Sequence, residues 1–273
     1  KHGLLRDLFL LTRSKLNKEP VKTVKEISKD RKENAIKHFK KSIDKKIIEN
    51  YFKLFDDSFF TKNNLDKLRW QGELILKDKD SLTIIGCRKC FDNLLEIFIK
   101  TENFDGLFLK LVEVLEMSGL EVINANISTS TNKAVASNTF ISKFSHHDRQ
   151  LNNSEIQELT KKINDNFLNF SRKKDKTVKK KKKIKSFNQP LKISNIEEKQ
   201  KKRNFLTIET SDSPGLLIKI AKVLHENGTS IYSARINTLG DRVEDTFEIE
   251  DMTLSSVSQR KIEKISNSLK EII

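Results

Sequence analysis

Hydrophobic positions in the first part of the chain recur at helical spacing. Ile36, Phe39, Ile43 and Ile47 follow one another at intervals of three or four residues, as on one face of an amphipathic helix. Residues 1–80 are therefore predicted to be a helical segment. A short apolar run at residues 81–85 has the pattern of a strand.

The pattern then changes to an alternation of strands and helices. Residues 96–100 alternate as a strand does, and residues 107–115 carry a helical stripe that ends at Gly119. Two further strands are predicted at residues 120–128 and 139–144, followed by a helix at residues 156–170. The order is β-α-β-β-α, with room for a closing strand.

The same order returns nearer the C-terminus, which indicates an internal repeat. A shift of 109 residues superimposes glycines and core positions, and the register slips by two near the second hairpin. The equivalent pairs include Thr101 with Thr210, Gly106 with Gly215, Leu107 with Leu216, Gly119 with Gly228, Ala125 with Ala234, and Phe140 with Phe247. Matches at turn glycines and core positions are what a shared fold produces.

The predicted fold class is α+β: an N-terminal helical segment followed by two ferredoxin-like βαββαβ modules. The predicted domains are residues 1–80 (helical segment), 92–171 (first module), 172–203 (basic linker) and 204–273 (second module). One such module alone leaves a sheet face or edge uncovered. Pairing of the modules is therefore predicted, either within the chain or between chains.

Charge is concentrated in one segment. The net charge is +15, and residues 172–203 hold fifteen Lys or Arg against three acids. This segment includes Lys179 to Lys183 and lacks periodicity, so it is predicted to be a solvated linker. A basic nucleic-acid-binding protein is the alternative, although no aromatic residues alternate with the lysines to stack on bases. No run is long and apolar enough for a membrane helix, and a cytoplasmic location is predicted.

Two motifs in the second repeat resemble a known family. The segment 211–217, Ser-Asp-Ser-Pro-Gly-Leu-Leu, resembles the Asp-x-Pro-Gly-Leu entry of ACT domains, which are small-molecule regulatory modules. The string from Thr238 to Phe247 is similar to the Thr-x-Gly-x-Arg-Val-Glu-Asp-x-Phe string in the last ACT domain of bacterial PII uridylyltransferases. The first repeat resembles the preceding ACT domain of that family in degraded form, with Asn103-Phe104-Asp105-Gly106-Leu107-Phe108 at the entry.

This resemblance implies a regulatory role. In the family, glutamine binds the ACT pair and shifts the enzyme from attaching uridylyl groups to the PII protein toward removing them. The catalytic domains of the family, which use a divalent metal such as Mg²⁺, are not represented by motifs in this chain. The chain alone is therefore not expected to be catalytic, and no cofactor or metal is predicted. An ACT module of another amino-acid-sensing enzyme, such as a metabolic dehydrogenase or a stringent-response enzyme, remains the alternative.

The loop around Asp212 suits a free amino acid on physical grounds. Ser213 and Pro214 are predicted to begin a helix, because proline is tolerated at the first helical position. Unpaired amides at such a terminus can bind a carboxylate, and Asp212 could face an α-amino group. The predicted ligand-binding residues are Asp212, Pro214, Gly215, Leu216, Leu217 and Ile231, with weaker equivalents at Asn103, Asp105, Gly106 and Leu107.

Three further motifs contain charged residues or residues that can bind metal ions. Arg242, Glu244 and Asp245 lie in the predicted hairpin and the strand that follows it. An exposed charged strand is the simpler interpretation, and contact with the partner ACT domain or the catalytic domains is favoured. His146-His147-Asp148 resembles part of a metal site but lacks further ligands, so a surface loop is predicted. Cys87 and Cys90 form a lone C-x-x-C pair with no second pair, which argues against a zinc site.

Overall fold

The computed structural model describes residues 22–39, 45–91, 93–144, 151–170, 190–199, 202–253 and 255–273. They belong to two compact units, Lys1–Lys79 and Asp80–Ile273. The predicted Lys179–Lys183 run and the His146-His147-Asp148 motif lie outside the described residues.

The first unit is helical in its described parts, as predicted. Its helices are α1 (Val24–His38), α2 (Lys45–Lys53), α3 (Asp57–Lys62) and α4 (Leu65–Lys77). The apolar stripe predicted to run along one helix from Ile36 to Ile47 is divided, because α1 ends at His38 and α2 begins at Lys45. Buried aromatic rings form much of the core of this unit: Phe39, Tyr51, Phe52, Phe55, Phe59 and Phe60.

The second unit contains both repeats, and its elements follow the predicted register. The first repeat comprises β1 (Ile84–Lys89), β2 (Leu95–Glu102), α5 (Leu107–Met117), β3 (Leu120–Thr129), β4 (Val135–Phe144) and α6 (Asn153–Leu168). The second comprises β5 (Lys192–Glu198), β6 (Arg203–Ser211), α7 (Leu216–Glu226), β7 (Thr229–Leu239), β8 (Arg242–Asp251) and α8 (Gln259–Ile272). Helices α5 and α7 are displaced by 109 residues and strands β4 and β8 by 107, as the repeat predicts.

The strands form one antiparallel eight-stranded sheet in the order β1-β2-β4-β3-β7-β8-β6-β5. Alternate strand residues join the four helices in a single core, because successive side chains of a strand point to opposite faces. The α+β class with two ferredoxin-like modules is confirmed. The fourth strand of each module is β1 in the first module and β5 in the second. Each comes before the other strands of its module in the sequence, whereas the predicted closing strand would follow the last helix.

The predicted linker needs a correction in its C-terminal part. Residues 192–198 form β5, which pairs with β6 over seven residues. Its side chains are exposed or only partly buried, and Ile196 is 69% exposed. An edge strand of this kind buries too little apolar surface to show a strand pattern in the sequence. The other predicted domain boundaries stay predictions.

The two modules are related by an approximate two-fold axis. Strands β3 and β7 pair antiparallel from Asn124–Asn237 to Ser128–Ser233. The pairing is centred on Asn126 and Arg235, which are equivalent positions in the two repeats. Such a self-complementary arrangement places the strand-to-helix loop of each module near the start of the other module's central strand. Two related half-sites result.

Candidate functional site

Half-site 1 is formed by the loop 103–107 of the first module and the first residues of β7, 229–232, of the second module. A cavity of about 150 Å³ lies between them. Apolar side chains from both modules contribute to its wall: Phe104, Phe108, Leu111, Ile127, Ala136 and Ala221. The cavity therefore lies at the junction of two modules, where small-molecule sites commonly form, and its lining is a mixture of polar and apolar groups.

The N-terminus of α5 opens onto this cavity. Gly106 is the N-cap residue, with φ of 79°, and offers no side chain to cap the helix. The first amides of a helix lack intrahelical acceptors, and here the residues of the first turn, Leu107 to Leu109, line the cavity. Leu107 N–H donates to the carbonyl of Phe104, whereas the next amides in the turn are suited to bind a carboxylate.

One polar side chain is buried inside the cavity with an unused acceptor. Asn138 on β4 is fully buried, and its Nδ2 donates to the carbonyl oxygen of Ile99 at 3.4 Å. Its Oδ1 has no hydrogen-bond partner. A buried acceptor without a partner costs about 1–3 kcal/mol, and this oxygen has almost no accessible surface, so a molecule in the cavity does not reach it.

His225 is the second polar group of this kind. It lies in the last turn of α7 and lines the cavity beside Gly106. A Cβ at Gly106 would come within 2.9 Å of His225 Cε1, so the ring lies directly against the loop backbone. His225 Nδ1 is buried without a partner. The second module thus places an imidazole on the helix terminus of the first.

Charged groups surround the cavity. Lys133 Nζ lies 2.7 Å from Glu250 Oε1, and this ion pair joins the β3–β4 hairpin to β8. Ser230 Oγ donates to Asp105 Oδ1 at 3.4 Å, again between the modules. Both signs of charge therefore lie beside the cavity, as the binding of a zwitterion requires.

Half-site 2 comprises the loop 212–216 and Glu121 at the start of β3. The amide of Asp212 donates to the carbonyl of Asp241 at 2.9 Å. Partial removal of water and the nearby Glu121 charge raise the pKa of Asp212. Unlike Gly106, Gly215 has no side chain packed where a Cβ would stand, so this half-site is more open than half-site 1.

Asp245 lies at the position equivalent to Asn138, because it pairs with Ile208 as Asn138 pairs with Ile99. It is 1% exposed, so the simpler interpretation of this run, an exposed charged strand, does not hold for Asp245. Its Oδ1 accepts a hydrogen bond from the Asn237 amide at 3.1 Å, where the β7–β8 ladder is open. Burial raises the pKa of Asp245 to about 7, and the charge of Asp212 contributes.

The predicted ligand residues divide between the two half-sites. Asn103, Asp105, Gly106, Leu107 and Ile231 line the cavity of half-site 1. Asp212, Pro214, Gly215, Leu216 and Leu217 belong to half-site 2 and do not line that cavity. Ile231 is thus separated from the loop with which it was grouped, because the two-fold axis places β7 beside the loop of the other module.

Helix α7 does not begin at Ser213 and Pro214 as predicted. Gly215, with φ of 72°, is the N-cap residue, and α7 begins at Leu216. Pro214 lies in the preceding turn, and Leu216 N–H donates to the carbonyl of Ser213. The amide of Leu216 is therefore already used. A glycine with positive φ fixes the start of the helix two residues later than proline at its first position would.

Two other candidates are placed on the surface. Arg242 Nη2 lies 3.0 Å from Glu209 Oε2 on the neighbouring strand and 3.7 Å from Glu244 Oε2. Both Arg242 and Glu244 are exposed. Their predicted contact with a partner domain stays a prediction.

The described parts of the chain were searched for clusters of metal-binding side chains. No group of three or more His, Cys, Asp or Glu side chains there could hold a metal ion. Cys87 lies on β1, and loss of water contact raises the pKa of its thiol to about 11, so it is protonated at neutral pH. Every described helix is too short or too polar to span a bilayer.

Sequence reasoning missed most of the polar residues of half-site 1, among them Asn138, Lys133, His225 and Glu250. Asn138 could have been found from the repeat register, because the slip of two that aligns Phe140 with Phe247 also aligns it with Asp245. His225 had no comparable signal, since its role depends on contact with the other module.

The contact between His225 and Gly106 leads to a stability prediction. Gly106→Ala and Gly215→Ala share the cost of a side chain at positive φ, about 1–2 kcal/mol. Gly106→Ala is expected to cost roughly 1–3 kcal/mol more, because the new methyl group overlaps the imidazole. Urea denaturation of both variants measures the difference, and adding His225→Ala to Gly106→Ala should recover it. Equal costs for the two glycine variants would contradict this packing.

The sheet topology and the two related half-sites define a tandem pair of ACT-like modules. The helical unit and this pair together make up the described chain.

Curated relatives that match the chain are bifunctional uridylyltransferase/uridylyl-removing enzymes. The enzyme of Psychrobacter sp. (strain PRwf-1) is 27% identical over 228 residues, covering 80% of this chain and 25% of the relative. That of Vibrio campbellii is 24% identical over 283 residues, covering 98% of this chain and 32% of the relative. The chain thus spans about a quarter to a third of the length of these relatives. The resemblance to this family inferred from the sequence is confirmed.

No family model matches the chain. Among solved structures, aspartate kinase from Synechocystis aligns at 12% identity with a TM-score of 0.36, covering 66% of this chain and 26% of that one. A score of this size indicates only a loose likeness.

Proposed function

We propose that this chain is the glutamine-sensing regulatory portion of a PII uridylyltransferase/uridylyl-removing enzyme, acting in the cytoplasm in control of nitrogen-status signalling. The similarity to uridylyltransferase/uridylyl-removing enzymes along most of the chain supports the enzyme class. The observation that carries the sensing role is the cavity of half-site 1, which combines an uncapped helix terminus with carboxylates from both modules, Asp105 and Glu250.

Each part of an amino acid has a matching group in half-site 1. The free amides in the first turn of α5 suit the α-carboxylate, because the positive end of the helix dipole is directed at the ligand. Asp105 and Glu250 suit the α-ammonium group, and both are lining residues. The apolar wall suits the methylene groups of the side chain. Half-site 2, with Asp212, Pro214, Gly215, Leu216 and Leu217, is proposed as a second, weaker position.

The ligand acts by joining the modules. Half-site 1 takes its wall from both modules, so a bound amino acid contacts α5 and β7 together. Such a ligand stabilises the arrangement in which β3 and β7 are paired over one in which they are apart. A ligand can shift an equilibrium only by its difference in affinity for the two states. In the full-length enzyme this shift would bias uridylyl transfer to the PII protein against its removal.

Calorimetric titration of the chain with glutamine, using glutamate, serine and histidine as controls, tests the proposal. Saturable binding selective for glutamine is expected. Asp105→Ala should weaken it about tenfold or more, because hydrogen bonds to charged groups contribute about 1.5–3 kcal/mol. Asp212→Ala, at half-site 2, should have a smaller effect. Absence of binding by every amino acid would overturn the sensing role. Preference for another amino acid would favour an ACT module of a different regulatory enzyme.

A further inference from the structure

We infer that Lys133 is a resident cation of half-site 1: its ammonium group occupies the place beside Glu250 that the α-ammonium group of a bound amino acid takes, so the two groups compete. This inference rests on the proposed function, because it concerns how binding at the same site is regulated. It is drawn from an ion pair, a strained backbone position and the comparison of the two repeats.

Lys133 and Glu250 form this ion pair at the wall of the cavity. Lys133 Nζ lies 2.7 Å from Glu250 Oε1, and both residues line the cavity. The Glu250 carboxylate is one of the two groups that suit the α-ammonium group of an amino acid. Two ammonium groups in contact with one oxygen repel each other strongly at such short range. A ligand that uses Glu250 Oε1 must therefore displace Lys133.

The backbone conformation at Lys133 is one that favours glycine. Its φ is 59°, in the left-handed region that side chains disfavour. The displacement of 107 residues that relates β4 to β8 makes Gly240 its equivalent, and Gly240 has φ of 62°. The same turn thus exists in both modules, with a side chain in the first and none in the second. Strain of this kind is characteristic of functional sites, and here it accompanies the placement of an ammonium group in the cavity.

The turn that carries Lys133 is held against the loop of half-site 1. Lys133 N–H donates to the carbonyl of Ser130 at 2.8 Å, and Asn103 Nδ2 donates to the carbonyl of Lys133 at 3.0 Å. The backbone amide of Asn103 donates to the carbonyl of Ala134 at 2.9 Å. Because these bonds fix the backbone, the Lys133 ammonium group can leave Glu250 by rotation of its side chain alone, while the hairpin stays in place.

Glu250 has a second cationic neighbour, Arg203, which holds the carboxylate in position. Arg203 Nε lies 3.6 Å from Glu250 Oε2, and its Nη1 lies 3.0 Å from Glu248 Oε1. The guanidinium carbon also lies 3.3 Å from the centre of the Tyr232 ring. The side chain of Arg203 is 14% exposed and that of Lys133 is 34% exposed. Water weakens the more exposed ion pair, so Lys133 is the cation that a ligand replaces.

Half-site 2 lacks this arrangement. Gly240 offers no side chain in the place of Lys133. The residue equivalent to Glu250, at the same displacement of 107, is Lys143, which lies 3.1 Å from Glu121. The resident cation is thus a feature of half-site 1.

Calorimetric titration of Lys133→Asn and Lys133→Gly with glutamine tests this inference. Both changes remove the ammonium group, and both new residues tolerate positive φ, so the hairpin is expected to fold as in the parent chain. Each variant should bind glutamine about two- to fivefold more tightly, the range set by loss of a competing, partly exposed ion pair. Weaker binding in both would overturn the inference, since Lys133 would then assist the ligand.

A double-mutant cycle assigns the effect to Glu250. Glu250→Gln removes the charge for which the two ammonium groups compete, so adding Lys133→Asn to it should give no further gain. Loss of all binding in Glu250→Gln would support the inference as well, because it requires Glu250 to receive the ligand. The same gain from Lys133→Asn with and without Glu250 would overturn it.

Lys192→Gln is the matched control. Lys192 Nζ also pairs with a glutamate, Glu209 Oε1, at 2.9 Å, but neither residue lines the cavity. Its replacement removes one lysine charge from the chain and should leave glutamine affinity unchanged. A gain in Lys192→Gln equal to that in Lys133→Asn would show a general effect of net charge and overturn the inference.

The outcomes separate this inference from the proposed function. If glutamine binds the parent chain and the two Lys133 variants bind it no more tightly, the resident cation is overturned while amino-acid sensing stands. A gain in Lys133→Gly alone would assign the effect to the backbone and overturn it too. If no amino acid binds the parent chain or any variant, both fall. A gain in both neutral variants, with Lys192→Gln unchanged, supports the inference.

Discussion

Replacing Asp245 by asparagine is expected to raise the free energy of unfolding at pH 8 by on the order of 4 kcal/mol. Asp245 is 1% exposed, and burial raises its pKa from 3.8 to about 7. At pH 8 the folded chain must hold this carboxylate ionised with little water around it. Asparagine has the same shape and can still accept the hydrogen bond of the Asn237 amide, but it carries no charge.

The pH dependence follows from the direction of the shift. In the unfolded chain Asp245 loses its proton near its ordinary pKa of 3.8, whereas in the folded chain it keeps the proton until about pH 7. Between these values the folded state binds more protons, so the contribution of this group to stability falls as pH rises. It is fully favourable below about pH 4 and constant above about pH 7. Asp245→Asn removes this dependence.

Urea denaturation of Asp245→Asn and the parent chain at several pH values measures the effect. The difference in unfolding free energy should be small near pH 4, grow to pH 7 and then level off. Asp241→Asn serves as a control, because Asp241 is exposed in the same hairpin and its replacement should leave the profile unchanged. A constant difference at all pH values would show that Asp245 does not titrate in this range.

Phe247→Ala is expected to lower the free energy of unfolding by about 3–5 kcal/mol, the usual cost of truncating a buried phenylalanine. Phe247 on β8 is fully buried. Its ring centroid lies 6.0 Å from that of Phe108 on α5, so it also contributes to the contact between the modules. The loss combines the transfer of apolar surface to water with a cavity that the surroundings cannot fill.

Two further variants calibrate this measurement. Phe140→Ala removes the equivalent ring of the first module, which is also fully buried, and should cost a similar amount. Phe91→Ala removes a ring that is 78% exposed and should change stability little. A cost below about 1 kcal/mol for Phe247→Ala would show that the modules do not share a packed core. A double-mutant cycle with Phe108→Ala isolates the contribution of the ring pair.

Features that depend on residues close together in the chain were predicted correctly, whereas features that depend on contacts between distant residues were not. Helices α5 and α7 and the strands around them were predicted correctly, because a helical stripe and an alternating strand are local patterns. The repeat register predicted equivalent residues across both modules. Edge strand β5 was missed, since its partly exposed side chains carry no such pattern and its pairing with β6 alone defines it.

The candidate site was predicted in its parts but not in its assembly. The loop residues Asn103, Asp105, Gly106 and Leu107 were identified, yet they were ranked below the loop of the second repeat. The cavity of half-site 1 lies at the first loop, where His225 of the second module packs against Gly106, while Gly215 has no such neighbour. The residues near Gly106 and Gly215 in the sequence do not indicate this difference.

By itself, the sequence determined the α+β class, the repeat and the resemblance to PII uridylyltransferases, because each depends on residues close together in the chain or at a fixed spacing. Only the tertiary structure decided which loop closes into a cavity, that Asp245 is buried, and that Asn138 and His225 line the same space. These features depend on the pairing of β3 with β7, which brings together residues about 110 positions apart. The burial of these residues and their contacts with the other module arise from that strand pairing, and no local sequence pattern specifies them.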